Sequence, residues 1–146
     1  MSGQGVREDH LLADGGLSRT PAGGLRVAQV DLEEIAGAVG TPAYVYNAEV
    51  MQRRYAELHE AFAGVPHRMH YAVKANANLA VLRLFRDLGA GADIVSIGEA
   101  SRCLAAGFAP AGAQAPTASS DRAGAPSAPV GGGLVFSGGA IDRVVL

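Results

Sequence analysis

The sequence has no tryptophan, a single cysteine and few aromatic residues, which make up 5% of its 146 positions. The lone Cys103 excludes an intramolecular disulfide and a zinc site built from several cysteines, and it agrees with a reducing compartment. Hydrophobic residues reach 49% of the chain, but alanine supplies much of that fraction. The apolar area available for burial is therefore modest, and a core has to depend on stripes of Leu, Ile, Val and Phe.

The chain also lacks an excess of charge of one sign, because 14 acidic and 12 basic residues give a formal net charge of -2, and no window concentrates Lys or Arg. This balance gives no electrostatic footprint for nucleic acid or for a membrane surface. No apolar run approaches the roughly 20 residues that a membrane span needs, and no signal peptide is visible. We therefore expect a cytoplasmic chain whose partner is a small molecule or another protein.

Composition divides the chain into four segments. Residues 1–24 are glycine-rich and predict a flexible N-terminal segment, whereas residues 25–108 alternate strand-like and helix-like patterns. Residues 109–133 are dominated by Ala, Gly, Pro and Ser and predict a linker or insertion without structure. A strand-like remnant follows at residues 134–146. Strands that alternate with helices predict an α/β fold, either a parallel sheet or part of a (β/α) barrel.

Local signals place the individual elements. Asp31 and Glu34 have the spacing of a capping box at the start of a helix, and Asn47 has the position of a second helix cap. The predicted helices are Asp31–Val39, a helix after Asn47 that ends before Gly64, Asn78–Leu88 and Gly98–Ala106. The predicted strands are Ala43–Tyr46, Arg68–Lys74, Ala92–Ser96 and Leu134–Ser137.

The candidate catalytic residue is Lys74, at the C-terminal end of the predicted strand Arg68–Lys74. In a (β/α) barrel this end of a strand carries the active site, and Ala72 on the same face leaves room for a planar ring. A lysine at such an end can act as a nucleophile when it is partly unprotonated. The alternative for a lone lysine is a solvated surface charge. His70 lies roughly 13 Å away along the strand and is interpreted as structural.

No metal site is predicted. His59 and His67 are interpreted as surface or loop residues, since neither has a second ligand at metal spacing. Gly131–Gly133 is interpreted as flexible linker and not as a phosphate-binding loop.

The segment from His70 to Asn78, with Tyr71-Ala72-Val73-Lys74-Ala75-Asn76 at its centre, resembles the cofactor-lysine motif of fold type III pyridoxal-phosphate enzymes. Three further stretches occur in the order expected of the diaminopimelate decarboxylase family: Thr41–Tyr46, Gly91–Ser96 and Leu134–Gly138. The resemblance implies an incomplete (β/α) barrel of the alanine racemase-like type. It also implies pyridoxal 5'-phosphate as cofactor, with Lys74 as its lysine and Asp93 lining its site.

The same resemblance implies a function. Enzymes of this family are carbon-carbon lyases that decarboxylate meso-diaminopimelate to L-lysine and carbon dioxide in lysine biosynthesis. They are homodimers. The family's phosphate-cradling glycine run, its Glu-Pro-Gly-Arg segment and its C-terminal β domain have no counterpart in the chain. We therefore expect a truncated chain with weak or no activity.

Three alternatives stay open. The chain is a non-catalytic pyridoxal-phosphate-binding barrel protein, an inert fragment of the decarboxylase, or a relative of another amino-acid enzyme of the same fold. Ser96 and Glu99 resemble the family's Ser-Gly-Gly-Glu turn, in which Ile97 replaces the first glycine, and receive no catalytic role.

Overall fold

The computed structural model describes residues 14–109 and 133–137. The chain divides into two compact units, with the division between Ala56 and Glu57. Among the described residues, no helix is both long and apolar enough to cross a membrane. The predicted linker falls almost entirely on residues 110–132, and most of the predicted remnant falls on residues 138–146. Both of these ranges lie outside the described residues.

The first unit contains a small antiparallel sheet that the sequence patterns did not predict. Its strands are β1 (Leu17–Arg19), β2 (Leu25–Val27) and β3 (Val30–Asp31), in the order β1-β2-β3. β1 pairs antiparallel with β2. A turn closed by the hydrogen bond from the Thr20 amide to the Gly24 carbonyl, 2.9 Å long, joins them. The prediction of a flexible segment over residues 1–24 is therefore wrong at Leu17–Arg19.

Helix α1 (Leu32–Val39) begins at Asp31 as predicted, but the predicted capping box is absent. The Asp31 carboxylate makes no cap hydrogen bond and instead accepts one from Arg26 Nε at 2.6 Å. A guanidinium is a stronger donor to a carboxylate than a neutral amide, so the ion pair takes the side chain away from the helix end. Gly40 ends α1 with a φ of 79°, a conformation that glycine adopts without strain.

The predicted strand Ala43–Tyr46 is not present, and the structure shows irregular chain there, with Tyr44 94% exposed. An apolar stretch becomes a strand only where a neighbouring strand accepts its backbone hydrogen bonds, and a short local pattern cannot show whether one is available. Helix α2 (Ala48–Ala61) follows. Its predicted cap is confirmed, because Asn47 Oδ1 accepts hydrogen bonds from the amides of Glu49 at 3.0 Å and Val50 at 3.3 Å.

The second unit is built on a parallel sheet whose strands alternate with helices, as predicted. Strands β4 (His70–Ala72), β5 (Gly91–Ile94) and β6 (Leu134–Phe136) lie in the order β4-β5-β6, and both pairs are parallel. Helix α3 (Leu79–Asp87) follows β4 and helix α4 (Ile97–Ala106) follows β5. The α/β class and the strand at Leu134 are therefore confirmed.

The core of this unit lies between the sheet and the two helices. Leu82 from α3 and Cys103 from α4 are fully buried against Ala92 of β5. The remaining buried members of the cluster are Val73, Ile94, Ala106 and Phe108. The core includes two alanines and a cysteine, so each of the few larger side chains contributes a large share of the buried apolar area.

Two predicted strands are shorter than expected. The strand predicted over Arg68–Lys74 is regular only at His70–Ala72, after which Val73–Ala75 form a turn of 3₁₀ helix. The strand predicted over Ala92–Ser96 ends at Ile94, because Ser96 already caps α4. In both places, hydrogen bonds to the following turn compete with the sheet for the last residues of the strand.

Candidate active site at the end of the parallel sheet

Lys74 is the only lysine in the chain. It lies in the 3₁₀ turn that directly follows β4, two residues after Ala72, and its side chain is exposed. Val73, immediately before it, is 0% exposed and belongs to the core. The buried valine anchors the turn, so the neighbouring lysine is held at the sheet end while its amine reaches solvent.

This position corrects one part of the sequence-based geometry. Strand alternation predicted that Lys74 shares a face with Ala72, but alternation applies only within extended backbone. The strand ends at Ala72, so the direction of the lysine is set by the turn. The placement of the lysine just past the C-terminal end of a parallel strand agrees with the prediction.

The backbone after Lys74 is held by side chains of the same turn. The Tyr71 hydroxyl donates a hydrogen bond to the Asn76 carbonyl oxygen at 3.1 Å. Asn76 Oδ1 accepts from the Asn78 amide at 2.9 Å. Asn78 in turn caps α3, because its Oδ1 accepts from the Ala80 amide at 2.9 Å. The lysine therefore lies on a short connection between β4 and α3 that side-chain hydrogen bonds hold in place.

Asp93, the second predicted site residue, lies on the adjacent strand. In the register of the sheet it pairs with Ala72 of β4 and with Val135 of β6. It alternates with Ala92 and Ile94, which face the core, and so it lies on the opposite face of β5 from helices α3 and α4. Asp93 therefore lies beside Ala72, which is two positions before Lys74.

One carboxylate oxygen of Asp93 lacks a partner. Asp93 Oδ1 is buried and makes no hydrogen bond, and in the part of the chain that the structure describes it is the one such side-chain atom. A buried acceptor without a donor costs about 1–3 kcal/mol. An unsatisfied atom of this kind is an acceptor that a donor from a ligand would satisfy.

Ser96 and Glu99 act at the start of helix α4. Ser96 Oγ accepts a hydrogen bond from the Glu99 amide at 3.2 Å, and Glu99 Oε2 accepts one from the Val95 amide at 2.7 Å. These bonds satisfy amides at a helix N-terminus and explain the pair without any catalytic role. Burial raises the pKa of the Cys103 thiol, and the charge of Glu99 raises it further.

His70 lies at the first residue of β4 and packs on its register partner Gly91. A Cβ built on Gly91 would come within 2.7 Å of His70 Nε2 and 2.8 Å of the Gly133 carbonyl oxygen. The glycine therefore permits a close approach that no other residue allows. His70 occupies a packing position at the strand end away from Lys74, as predicted.

Sequence patterns missed a contact between two histidines. His67 Nε2 lies 2.8 Å from His59 Nδ1, and His67 Nδ1 lies 2.9 Å from the Val65 carbonyl oxygen. A separation of eight residues does not by itself predict a contact between two histidines. The contact arises because the chain turns between helix α2 and residue 67. Within residues 14–109 and 133–137, no group of three or more His, Cys, Asp or Glu side chains is arranged to hold a metal ion.

The stretch of the chain that contains Lys74 is similar to a known family of domains. Residues 48–116 match the pyridoxal binding domain of the pyridoxal-dependent decarboxylases. The matched residues include strands β4 and β5, helices α3 and α4, and Lys74.

The chain is also similar to diaminopimelate decarboxylases, as predicted from its motifs. It is 51% identical over 82 residues to the enzyme of Pseudomonas aeruginosa, an alignment that covers 56% of this chain and 20% of that protein. It is 46% identical over 88 residues to the enzyme of Vibrio cholerae, with 60% and 21% covered.

A solved structure gives the same result. The crystal structure of diaminopimelate decarboxylase from M. jannaschii superposes with a TM-score of 0.60 at 36% sequence identity, covering 65% of this chain and 23% of that one. The chain spans about a fifth of the length of the curated relatives that it matches.

Proposed function

We propose that the chain carries the cofactor-lysine part of a pyridoxal 5'-phosphate site of the diaminopimelate decarboxylase type. The single supporting observation is the placement of its only lysine two residues past Ala72, whose register partner Asp93 has a buried oxygen without a hydrogen bond. The match of this segment to a pyridoxal binding domain supports the identity of the ligand.

The residues present fit this cofactor. Lys74 supplies the amine that holds it covalently, and Asp93 Oδ1 supplies a free acceptor for a donor group of the ligand. Ala72 and Val135 flank Asp93 on the same face of the sheet, and the small Ala72 leaves space for a planar ring. When bound, pyridoxal phosphate accepts the electrons that remain on the substrate carbon when carbon dioxide leaves.

The proposed substrate class is a diamino acid. The relatives at about half identity are diaminopimelate decarboxylases, and the M. jannaschii enzyme has also been solved in complex with L-lysine. The proposed reaction is therefore that of a diaminopimelate decarboxylase, the conversion of meso-diaminopimelate to L-lysine and carbon dioxide. We expect little or no turnover from this chain alone, since it spans about a fifth of the length of those relatives.

The proposal is tested by trapping the cofactor. The purified chain is mixed with pyridoxal phosphate, reduced with borohydride and weighed by mass spectrometry beside a Lys74→Arg control, which keeps the charge but removes the nucleophile. We expect one stable adduct in the parent chain that is absent from Lys74→Arg. An equal adduct in both proteins would contradict the proposal.

Activity is measured on the same samples as formation of lysine from meso-diaminopimelate. Trapping of the cofactor that meso-diaminopimelate does not change at any concentration would favour the alternative of a non-catalytic pyridoxal-phosphate-binding protein. Neither trapping nor turnover would favour the inert fragment. Homodimerisation and a cytoplasmic location stay predictions, and sedimentation of the purified chain measures the first of them.

A further inference from the structure

Tyr71 links the sheet to the turn that carries Lys74. Its ring stacks on Phe85 of helix α3, with ring centroids 4.2 Å apart and an interplanar angle of 12°. Its hydroxyl donates to the Asn76 carbonyl at 3.1 Å. The side chain is half-buried and packs against the core cluster.

The ring stack and the hydroxyl hydrogen bond of Tyr71 have different effects. The stack fixes the ring plane, because an aromatic side chain held face to face by a neighbour cannot swing without losing that contact. The hydroxyl then reaches across the 3₁₀ turn of residues 73–75 and holds the carbonyl on its far side. Residues 71 and 76 flank Lys74, so one hydrogen bond closes the loop that contains the lysine.

A second hydrogen bond, from helix α4, holds the same connection. Arg102 of α4 donates from its guanidinium to the Ala77 carbonyl at 3.3 Å. The connection after Lys74 is therefore held from the sheet through Tyr71 and from α4 through Arg102. Carbonyl groups are the points of attachment in both cases, so the ties act on the backbone and leave the lysine side chain free to react.

We propose that Tyr71 is a positioning residue, whose hydroxyl holds the Lys74 turn in the geometry that accepts the cofactor; this inference rests on the proposed function. A phenylalanine at position 71 would keep the stack on Phe85 and lose the bond to Asn76. The hydroxyl therefore has a role that packing alone does not explain. A correctly held nucleophile reacts faster because less orientational freedom is lost on the way to the reaction.

The test compares the rate at which Lys74 is trapped at saturating pyridoxal phosphate in Tyr71→Phe and in the parent chain. We expect trapping to slow about threefold to tenfold, the range that loss of one net hydrogen bond gives. Tyr44→Phe is the matched control, because it removes the same atom from a side chain that is 94% exposed. The control should trap at the parent rate.

A purely structural role of Tyr71 predicts a different result, namely lower resistance to urea with an unchanged trapping rate in the folded chain. That result would overturn the inference while leaving the proposed function in place. Absence of trapping in the parent chain would instead overturn the proposed function, and the inference with it.

A second variant decides the question if Tyr71→Phe does not fold. Phe85→Leu keeps the Tyr71 hydroxyl but removes the aromatic surface on which its ring rests. We expect slower trapping than in the parent chain, because the ring then moves and the bond to Asn76 is made less of the time. An unchanged rate in Phe85→Leu would contradict the positioning role.

Discussion

Ala72 and Asp93 are direct partners in the parallel pair of β4 and β5, and both precede a change of backbone direction. Two residues after Ala72 the chain presents its only lysine, and beside Ala72 the Asp93 Oδ1 atom is buried without a hydrogen bond. The sheet therefore places the lysine and an unsatisfied acceptor near the C-terminal end of β4.

We predict that Asp93→Val stabilises the chain. The change removes a buried acceptor without a donor and places a β-branched side chain beside Val135, so the free energy of unfolding should rise by about 1 kcal/mol. Urea denaturation measures this. The same variant should lose affinity for pyridoxal phosphate.

Asp93→Asn is the matched comparison, since it keeps the shape and a polar atom at the site, and we expect a smaller gain from it. Destabilisation by Asp93→Val would contradict the interpretation and would mean that the carboxylate contributes to the folded state.

We predict that Gly91→Ala destabilises the second unit. The new methyl group would meet both the His70 ring and the Gly133 carbonyl oxygen at less than van der Waals distance. Overpacking of this kind costs about 1–3 kcal/mol, measured by urea denaturation.

The control for this change is Gly98→Ala in helix α4. A Cβ there would come no closer than 3.9 Å to Ser96 Oγ. We expect it to stabilise the chain by about 0.5–1 kcal/mol, because alanine loses less entropy than glycine in a helix. Equal responses at the two positions would show that the contact with His70 does not exist in solution.

We predict that stability falls at alkaline pH through Cys103. Burial first, and the Glu99 charge second, raise the pKa of its thiol above the ordinary value of 9.0. The unfolded state then loses its thiol proton at a lower pH than the folded state does. The contribution to stability is therefore complete below about pH 8 and declines as the pH rises towards 10.

The comparison uses urea denaturation of the parent chain and of Cys103→Ser at several pH values in that window. The serine variant will be less stable throughout, but we expect it to lack the alkaline decline. Burial also raises the pKa of Tyr55 above its ordinary value of 10.0, so measurements below that pH separate the two groups. Parallel pH profiles would contradict the prediction.

The alternation of strands and helices in the second unit was predictable because each element carries its own signal. Asn78 caps α3 and Gly107 ends α4 in the left-handed conformation, and both signals act over a few neighbouring residues. Lys74 was found from its motif and strand-end position alone, although its status as the only lysine was an additional signal in the printed sequence.

What the sequence did not predict depends on which short segments pair with each other. β1 pairs with β2, and the ion pair of Arg26 with Asp31 joins register partners of β2 and β3, so both contacts require the small sheet to have formed. The early end of β4 has a similar cause. The bond from Tyr71 to Asn76 stabilises a turn where apolar alternation alone predicts two further residues of strand.

The most direct test of the central claim is the position of the label after borohydride reduction with pyridoxal phosphate. Because the chain has one lysine, only its N-terminal amine competes for the reagent. We predict that the peptide containing Lys74 carries nearly all of the label at low cofactor concentration, and that Lys74→Arg abolishes it. Label confined to the N-terminal amine, or unchanged in Lys74→Arg, would contradict the claim that this sheet end is a pyridoxal-phosphate site.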